Sequence, residues 1–199
     1  MAKRYTPELW DLDSLSDSIR YESLQWCVTF IENQISDFDD RNETNHHETL
    51  SPELQRAFLL TVVAHMEHHL KKVCDFLAEK RNFVVRTVDM RGANGFESCV
   101  AYLDKVLQIP MPQKVLKNVR GIVNLRNAVV HQGGHLEALP AIDDDVLSHV
   151  SLSGGEIYFA SPFVNEASKI CRLFVDTILT TVNEQQGPKA TAKGRCDPR

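Results

Sequence analysis

Apolar residues recur every three or four positions along most of the chain, which is the spacing of one face of an α-helix. Two of the segments that carry this repeat open on Ser51–Pro52 and Ser161–Pro162. Serine caps the free N–H groups at a helix start, and proline suits the first helical position. Another segment ends before Pro110, because the residue preceding a proline avoids the helical conformation. The repeat predicts five helices, at residues 14–38, 51–79, 96–107, 113–131 and 161–182.

The segments between and after these helices lack the helical repeat. Residues 81–95 predict a connector in which Phe83–Val85 forms a short extended piece. Residues 143–160 predict a β-hairpin, with strands at 146–150 and 156–159 around Ser153–Gly154–Gly155. The last residues are rich in Gln, Gly, Pro, Lys and Thr, a composition typical of a frayed tail. We therefore predict one all-α domain over residues 1–183, a bundle of about five helices with a hairpin inserted before the last helix, and a flexible tail over 184–199.

The composition narrows the class of protein. The chain has 199 residues, 43% of them hydrophobic, which is enough to bury the core of one domain. A net charge of -5 argues against a broad, non-specific grip on nucleic acid but leaves room for a small RNA site. The five cysteines are odd in number and show no Cys-x-x-Cys, which favours reduced thiols. Because no signal peptide or membrane-spanning run is recognisable, we expect a cytoplasmic protein without membrane contacts.

The candidate chemistry lies at the end of the fourth predicted helix, which stops at Gly133–Gly134. Asn127 and His131 are four residues apart and share a helix face, and Arg126 projects about 100° away from Asn127. A guanidinium can hold a phosphate, and an imidazole beside it can move a proton. We therefore predict that Arg126, Asn127 and His131 form a phosphodiester site. The alternative is structural, with the arginine capping carbonyl groups and the histidine stabilising the helix C-terminus.

The spacing alone is weak evidence, because Arg41 and His46 repeat it elsewhere in the chain. That copy lies in a polar stretch without apolar periodicity, which is typical of a solvated loop. Arg126, in contrast, falls on an apolar stripe with Val119 and Ile122. An arginine on a buried stripe needs a phosphate, a carboxylate or carbonyl groups as partners.

Glu67 is the predicted partner of Arg126. It interrupts the apolar stripe of the second predicted helix between Val63 and Leu70, and a carboxylate in that position must be paired or neutral. Two interpretations stay open. The pair is a purely structural ion pair, or Glu67 orients Arg126 or His131 for function.

A dense group of histidines surrounds Glu67 in sequence. His65 and His69 are four apart and could bind a metal ion in principle. They lie on a different helix face from Glu67, however, and no third ligand has a clear spacing. We therefore predict a solvated, partly packed helix face, with no metal and no cofactor.

The motif Arg126–Asn127–Ala128–Val129–Val130–His131, followed by Gln132–Gly133–Gly134, resembles the Arg–polar–x3–His motif of the HEPN superfamily. The superfamily is named for nucleotide-binding domains of higher eukaryotes and prokaryotes. The resemblance is specific over residues 125–134 and only architectural elsewhere. Many HEPN proteins are metal-independent endoribonucleases that pair two motif helices across a two-fold axis and act in toxin–antitoxin and phage-defence systems. Others are binding or assembly modules without known activity.

The resemblance implies a HEPN-like helical domain, catalytic Arg126, Asn127 and His131, and a supporting Glu67. The implied partners are an RNA substrate, a second copy of the chain and an antitoxin or other regulatory protein. Cleavage through the RNA 2′-OH would leave a 2′,3′-cyclic phosphate. The alternatives are a non-catalytic HEPN dimerisation module and an unrelated helical bundle that carries the motif by coincidence.

Overall fold

A computed structural model of the chain describes residues 29, 33, 47–90, 95–160 and 162–185. The described part is mostly helical, with one small antiparallel sheet. The predicted helix at 14–38 lies outside it, except for Thr29 and Asn33, which are both helical and exposed. Arg41 and His46, and the tail beyond Gln185, also lie outside it. The elements are α1 (His47–Lys80), a 3-10 turn (Thr87–Asp89), α2 (Gly95–Lys105), α3 (Gln113–Gln132), α4 (Asp144–Leu147), β1 (Val150–Ser153), β2 (Glu156–Phe159) and α5 (Phe163–Gln185).

Four of the five predicted helices are confirmed as elements, with shifted ends. Helix α1 begins at His47, so the proline expected to open it, Pro52, lies inside the helix near its N-terminus. Helix α3 matches its prediction to within one residue, because its apolar repeat ends at a clear glycine stop. Helices α1, α3 and α5 pack against one another, and α2 packs on α1. Their apolar stripes meet in one core that includes Leu59, Val63, Met66, Leu70, Ile122, Leu125, Phe174 and Ile178.

The prediction for the first strand of the hairpin is wrong. Residues 144–147 form the short helix α4, and β1 begins only at Val150. Asp144 and Asp145 lie in the first turn of α4, where acidic side chains favour a helix N-terminus. The second strand and the turn are confirmed. Gly154 and Gly155 have φ angles of 61° and 84°, as a two-residue hairpin turn requires.

The extended piece predicted at Phe83–Val85 is also not a strand, since the only strands in the described ranges are β1 and β2. The carbonyl of Val85 instead accepts a hydrogen bond of 2.9 Å from the Tyr102 hydroxyl, and a 3-10 turn follows. A β-branched sequence alone does not make a strand when no neighbouring strand is available to pair with it. Three cysteines in the described part, Cys74, Cys99 and Cys171, are buried free thiols, as predicted.

One glycine brings a connecting loop against α3. A Cβ atom on Gly121 would come within 2.1 Å of Ile142 Cγ1, so only glycine allows this approach. Nearby, the Asn118 side chain donates to Asp143 Oδ2 at 2.9 Å and accepts from the Asp143 backbone N–H at 3.0 Å. These contacts hold the segment that precedes α4 on the surface of α3.

Candidate functional site

Arg126 and Glu67 join α3 to α1. Arg126 Nη2 donates a hydrogen bond to Glu67 Oε1 in an ion pair between the two helices. The two side chains are 18% and 26% exposed, so the pair lies at the rim of the core and solvent reaches it. The predicted pairing is therefore confirmed. Its physical cause is that each charge interrupts an apolar stripe, and the two stripes pack against each other.

The guanidinium of Arg126 is only partly satisfied. Its Nε is buried and has no hydrogen-bond partner among the described residues. An unpaired buried donor costs about 1–3 kcal/mol. Because part of the side chain is exposed, an anion arriving from solvent can bind the guanidinium alongside Glu67.

Asn127 and His131 lie on another side of α3. Asn127 is half-buried, whereas His131 is exposed in the last turn. Arg126 and His131 are separated by about 140° around the helix. Within a single chain, the predicted residues therefore lie on different sides of the helix end. Arg126 is directed to Glu67, and His131 is directed to solvent.

The C-terminus of α3 ends as its two glycines predict. Gly133 and Gly134 have φ angles of 63° and 83°, and the Gly134 N–H donates to the carbonyl of Ala128 at 3.0 Å. This is the hydrogen bond of a Schellman-type helix end. The partial negative charge of a helix C-terminus disfavours bound anions, so a phosphate here depends on the cationic side chains.

Arg56 of α1 lies beneath this turn and was not among the predicted site residues. A Cβ on Gly134 would be 3.3 Å from Arg56 Cζ, so the guanidinium packs directly against the glycine. Arg56 Nη2 pairs with Glu156 Oε1 at 2.7 Å and donates to the Ile157 carbonyl at 3.2 Å. This arginine holds the pKa of Glu156 below its usual range, with a hydrogen bond from Tyr158 adding to the effect.

The pattern that predicted Glu67, a charged residue beside a buried apolar stripe, also applies to Arg56. Arg56 lies three positions before Leu59 and seven before Val63, so it also falls beside the buried stripe of α1. Its side chain is only 13% exposed. The backbone completes the arrangement, because Ile157 N–H donates to the Gly134 carbonyl at 2.8 Å and Leu136 N–H to the Gly155 carbonyl at 2.8 Å. The hairpin thus fixes the chain just after His131.

Two adjoining concavities lie beside the last turns of α3. The smaller has a volume of about 330 Å³ and the larger about 740 Å³. They share Gln132, Leu136 and Ala138, so we treat them as one surface and call it the amide groove. The smaller part is also lined by Asn124, Asn127, Ala128 and Pro140, and the larger part by His135, Glu137 and Gly155. Of the predicted site residues, only Asn127 lines it.

The histidine group of α1 forms a separate cluster. The Nε2 atoms of His65 and His69 are 2.9 Å apart, and the rings meet edge to face. Burial, together with the neighbouring His65, Lys72 and His68, lowers the pKa of His69 to about 4. Within the described ranges, no group of three or more metal-ligating side chains comes together.

No protein-family model, curated protein or solved structure matches this chain. Among the helices in the described part, none combines the length and apolar composition needed to cross a bilayer.

Proposed function

We propose that the protein is a metal-independent endoribonuclease of the HEPN type. The observation that supports this proposal most directly is the placement of Arg126. The guanidinium is anchored by Glu67, the Arg126 side chain remains 18% exposed, and the residue lies in the same helix end as the exposed His131. An anchored guanidinium binds a phosphodiester with little loss of side-chain entropy, because the ion pair has already restricted it.

The chemistry uses groups of the RNA and of the protein. The 2′-OH attacks phosphorus, its proton passes to a base, and an acid protonates the leaving 5′-oxygen. The products are a 2′,3′-cyclic phosphate and a 5′-hydroxyl. Arg126 stabilises the negative charge on the phosphorane, and each proton-transfer role typically contributes about 10²–10⁴-fold. Asn127 orients His131 or the phosphate.

The active unit in this proposal is a homodimer. One His131 cannot comfortably serve as base and acid on opposite sides of phosphorus, whereas two copies across a two-fold axis can. The exposure of His131 and of the adjacent Val130, which is 48% exposed, leaves this helix end accessible to a second chain. A cytoplasmic role as a toxin or phage-defence effector, held in check by an antitoxin or other regulatory protein, belongs to the same proposal.

A second candidate is a non-catalytic HEPN dimerisation module. The observation in its favour is that Arg126 already has a carboxylate partner and that its Nε is buried. An arginine used in this way stabilises the contact between α1 and α3 without any ligand. The fold and the dimer would then be the same, and RNA would be left intact.

Cleavage of RNA in the presence of EDTA tests the proposal. The purified protein should produce ends with a 2′,3′-cyclic phosphate, and His131→Ala should abolish cleavage while the helical circular dichroism is retained. The double variant Arg41→Ala, His46→Ala is the control, because it removes the other copy of the spacing and should change little. A folded dimer that leaves all RNA intact would favour the second candidate, and cleavage that requires a metal ion would exclude the mechanism.

A further inference from the structure

The amide groove is lined by side chains that recognise uncharged polar edges. Asn124, Asn127 and Gln132 each contribute a carboxamide, which offers both hydrogen-bond donors and an acceptor. The other described residues that line the smaller concavity are apolar: Ala128, Leu136, Ala138 and Pro140. A planar ligand with donors and acceptors along its edge and apolar faces matches this lining. At about 330 Å³, the smaller part lies at the lower end of the range for small-ligand sites.

From this lining we propose that the amide groove binds a nucleobase of the RNA substrate and sets the base preference at the cleaved phosphodiester. The inference rests on the proposed ribonuclease function and names the part of the substrate that this groove binds. Asn and Gln side chains read base edges through paired hydrogen bonds, most often on adenine. In single-stranded RNA those edges are free to be read, and the base faces are free to pack on apolar side chains.

The position of the groove relative to the phosphate-binding residue supports this assignment. Asn127 lines the groove and follows Arg126 directly, whereas Gln132 lines it and follows His131 directly. The groove therefore runs beside the helix end that carries both Arg126 and His131, over about 7.5 Å of helix axis between Asn127 and Gln132. A nucleotide whose phosphate lies at the guanidinium can place its base against the neighbouring face of α3.

The three carboxamides are available to a ligand. Among the described residues, none of the side chains of Asn124, Asn127 and Gln132 has a hydrogen-bond partner, and Asn124 and Gln132 are exposed. The groove wall opposite α3 is held in place by the Leu136 N–H bond to Gly155 and by the Arg56 contact beneath Gly134. The site is thus largely formed before a ligand arrives, which lowers the entropic cost of binding.

A phosphate is a poorer occupant of this groove than a base. Among the described residues that line the smaller part, none has a cationic side chain, and the larger part contains Glu137 together with His135. The nearby C-terminus of α3 adds partial negative charge. An anion here would meet unfavourable electrostatics, whereas an uncharged base would not.

Binding of non-cleavable oligonucleotides tests the inference separately from catalysis. The probes are 2′-O-methyl tetranucleotides of each of the four bases, which lack the attacking hydroxyl, and affinities are measured by calorimetry. The wild-type protein should prefer one base. Asn124→Leu and Gln132→Met should each weaken binding of that tetranucleotide about tenfold, the effect of one good amide-to-base contact, and should weaken the others less.

A matched control lies at the other end of α3. Gln113 is exposed, and its side chain donates to the Met111 carbonyl at 3.3 Å. Gln113→Met removes the same functional group from the same helix, far from the groove, and should leave the base preference unchanged. Asn127 is not used in this test because it belongs to the proposed catalytic group.

The outcomes separate the two proposals. If RNA is cleaved and both groove variants keep the wild-type base preference in binding and in cleavage, the groove assignment is overturned and the ribonuclease proposal stands. If the tetranucleotides bind with a preference that depends on the amides and no RNA is cleaved, nucleobase binding by the groove stands, whereas the ribonuclease proposal and the role of the groove at a cleaved phosphodiester fail. Absence of tetranucleotide binding, or equal affinity for all four bases, also overturns the groove assignment.

Discussion

Arg126 on α3 and Glu67 on α1, 59 positions apart in sequence, form an ion pair at the rim of the helical core. The pair links the helix that carries His131 to the longest described helix. It pairs the charge of Glu67 and leaves 18% of the Arg126 side chain exposed. The same contact thus contributes to stability and, in the proposed ribonuclease, would orient the guanidinium towards the phosphate.

Removing the carboxylate of this pair should destabilise the protein. Glu67→Ala leaves a guanidinium unpaired at the rim of the core, and we expect the free energy of unfolding to fall by about 1–3 kcal/mol, less than for a fully buried pair. Urea unfolding measures the change. The control is Glu97→Ala, which breaks the more exposed pair with Arg120, where both hydrogen bonds are within 2.9 Å. For Glu97→Ala, the free energy of unfolding should fall by less than about 1 kcal/mol. Equal losses of stability in the two variants would contradict our interpretation.

The contact between Gly134 and Arg56 should make the helix stop intolerant of a side chain. Gly134→Ala places a methyl group 3.3 Å from the guanidinium carbon at a φ of 83°, and we expect a loss of about 1–3 kcal/mol in thermal unfolding. Gly133→Ala is the matched control. Gly133 has a φ of 63° but nothing within 4 Å of an added Cβ, so only backbone strain applies. If Gly133→Ala costs as much as Gly134→Ala, then the packing of Arg56 contributes nothing measurable.

The buried imidazole of His69 should make stability depend on pH. Its pKa is lowered from 6.5 to about 4, chiefly by burial, with its neighbours His65, Lys72 and His68 acting in the same direction. Between these values the unfolded chain binds more protons than the folded protein. The contribution of the neutral His69 imidazole to the free energy of unfolding is therefore complete above pH 6.5. It is lost as the pH falls towards 4, and the loss is at most about 3 kcal/mol.

Unfolding measured at a series of pH values checks this prediction. His69→Gln should flatten the slope between pH 6.5 and 4 relative to the wild type, whatever its effect on absolute stability. The pKa values of Asp143 and Glu156 are lowered by hydrogen bonds from Asn118 and Arg56, respectively. These two carboxyl groups contribute equally to the pH dependence of stability in both proteins, so their contributions cancel in the difference. An unchanged slope would show that His69 does not control this dependence.

The proposed dimeric active site predicts a specific result for mixed dimers. Heterodimers of wild-type and His131→Ala chains, isolated with two different affinity tags, should lose most of their RNA cleavage if both histidines serve one cleft. If each chain works alone, they should keep about half of the wild-type activity. Retention of half the activity would therefore exclude a shared cleft, and single-turnover cleavage rates provide the measurement. Arg126→Ala should in addition weaken RNA binding, because it removes the phosphate-holding group.

Much of the architecture follows from local pattern. The apolar repeat of α3 and the glycine pair after it determine where this helix runs and ends, because helix periodicity and left-handed backbone are local properties. The pairing of Glu67 with Arg126 is also predictable, since two charges on two buried stripes have few other ways to be satisfied. The turn at Gly154–Gly155 follows for the same local reason.

Contacts between distant segments decided the rest. The start of β1 shifted to Val150 because residues 144–147 form a helical turn held over α3 by Asn118 and the space at Gly121. Arg56 lies under Gly134 because the hairpin folds back onto α1. The amide groove exists only because the chain after Gly134 returns along α3. Periodicity determines which face of a helix is buried, but it carries no information on which distant segment covers that face. That choice depends on shape and on hydrogen bonds that form only when the helices have packed.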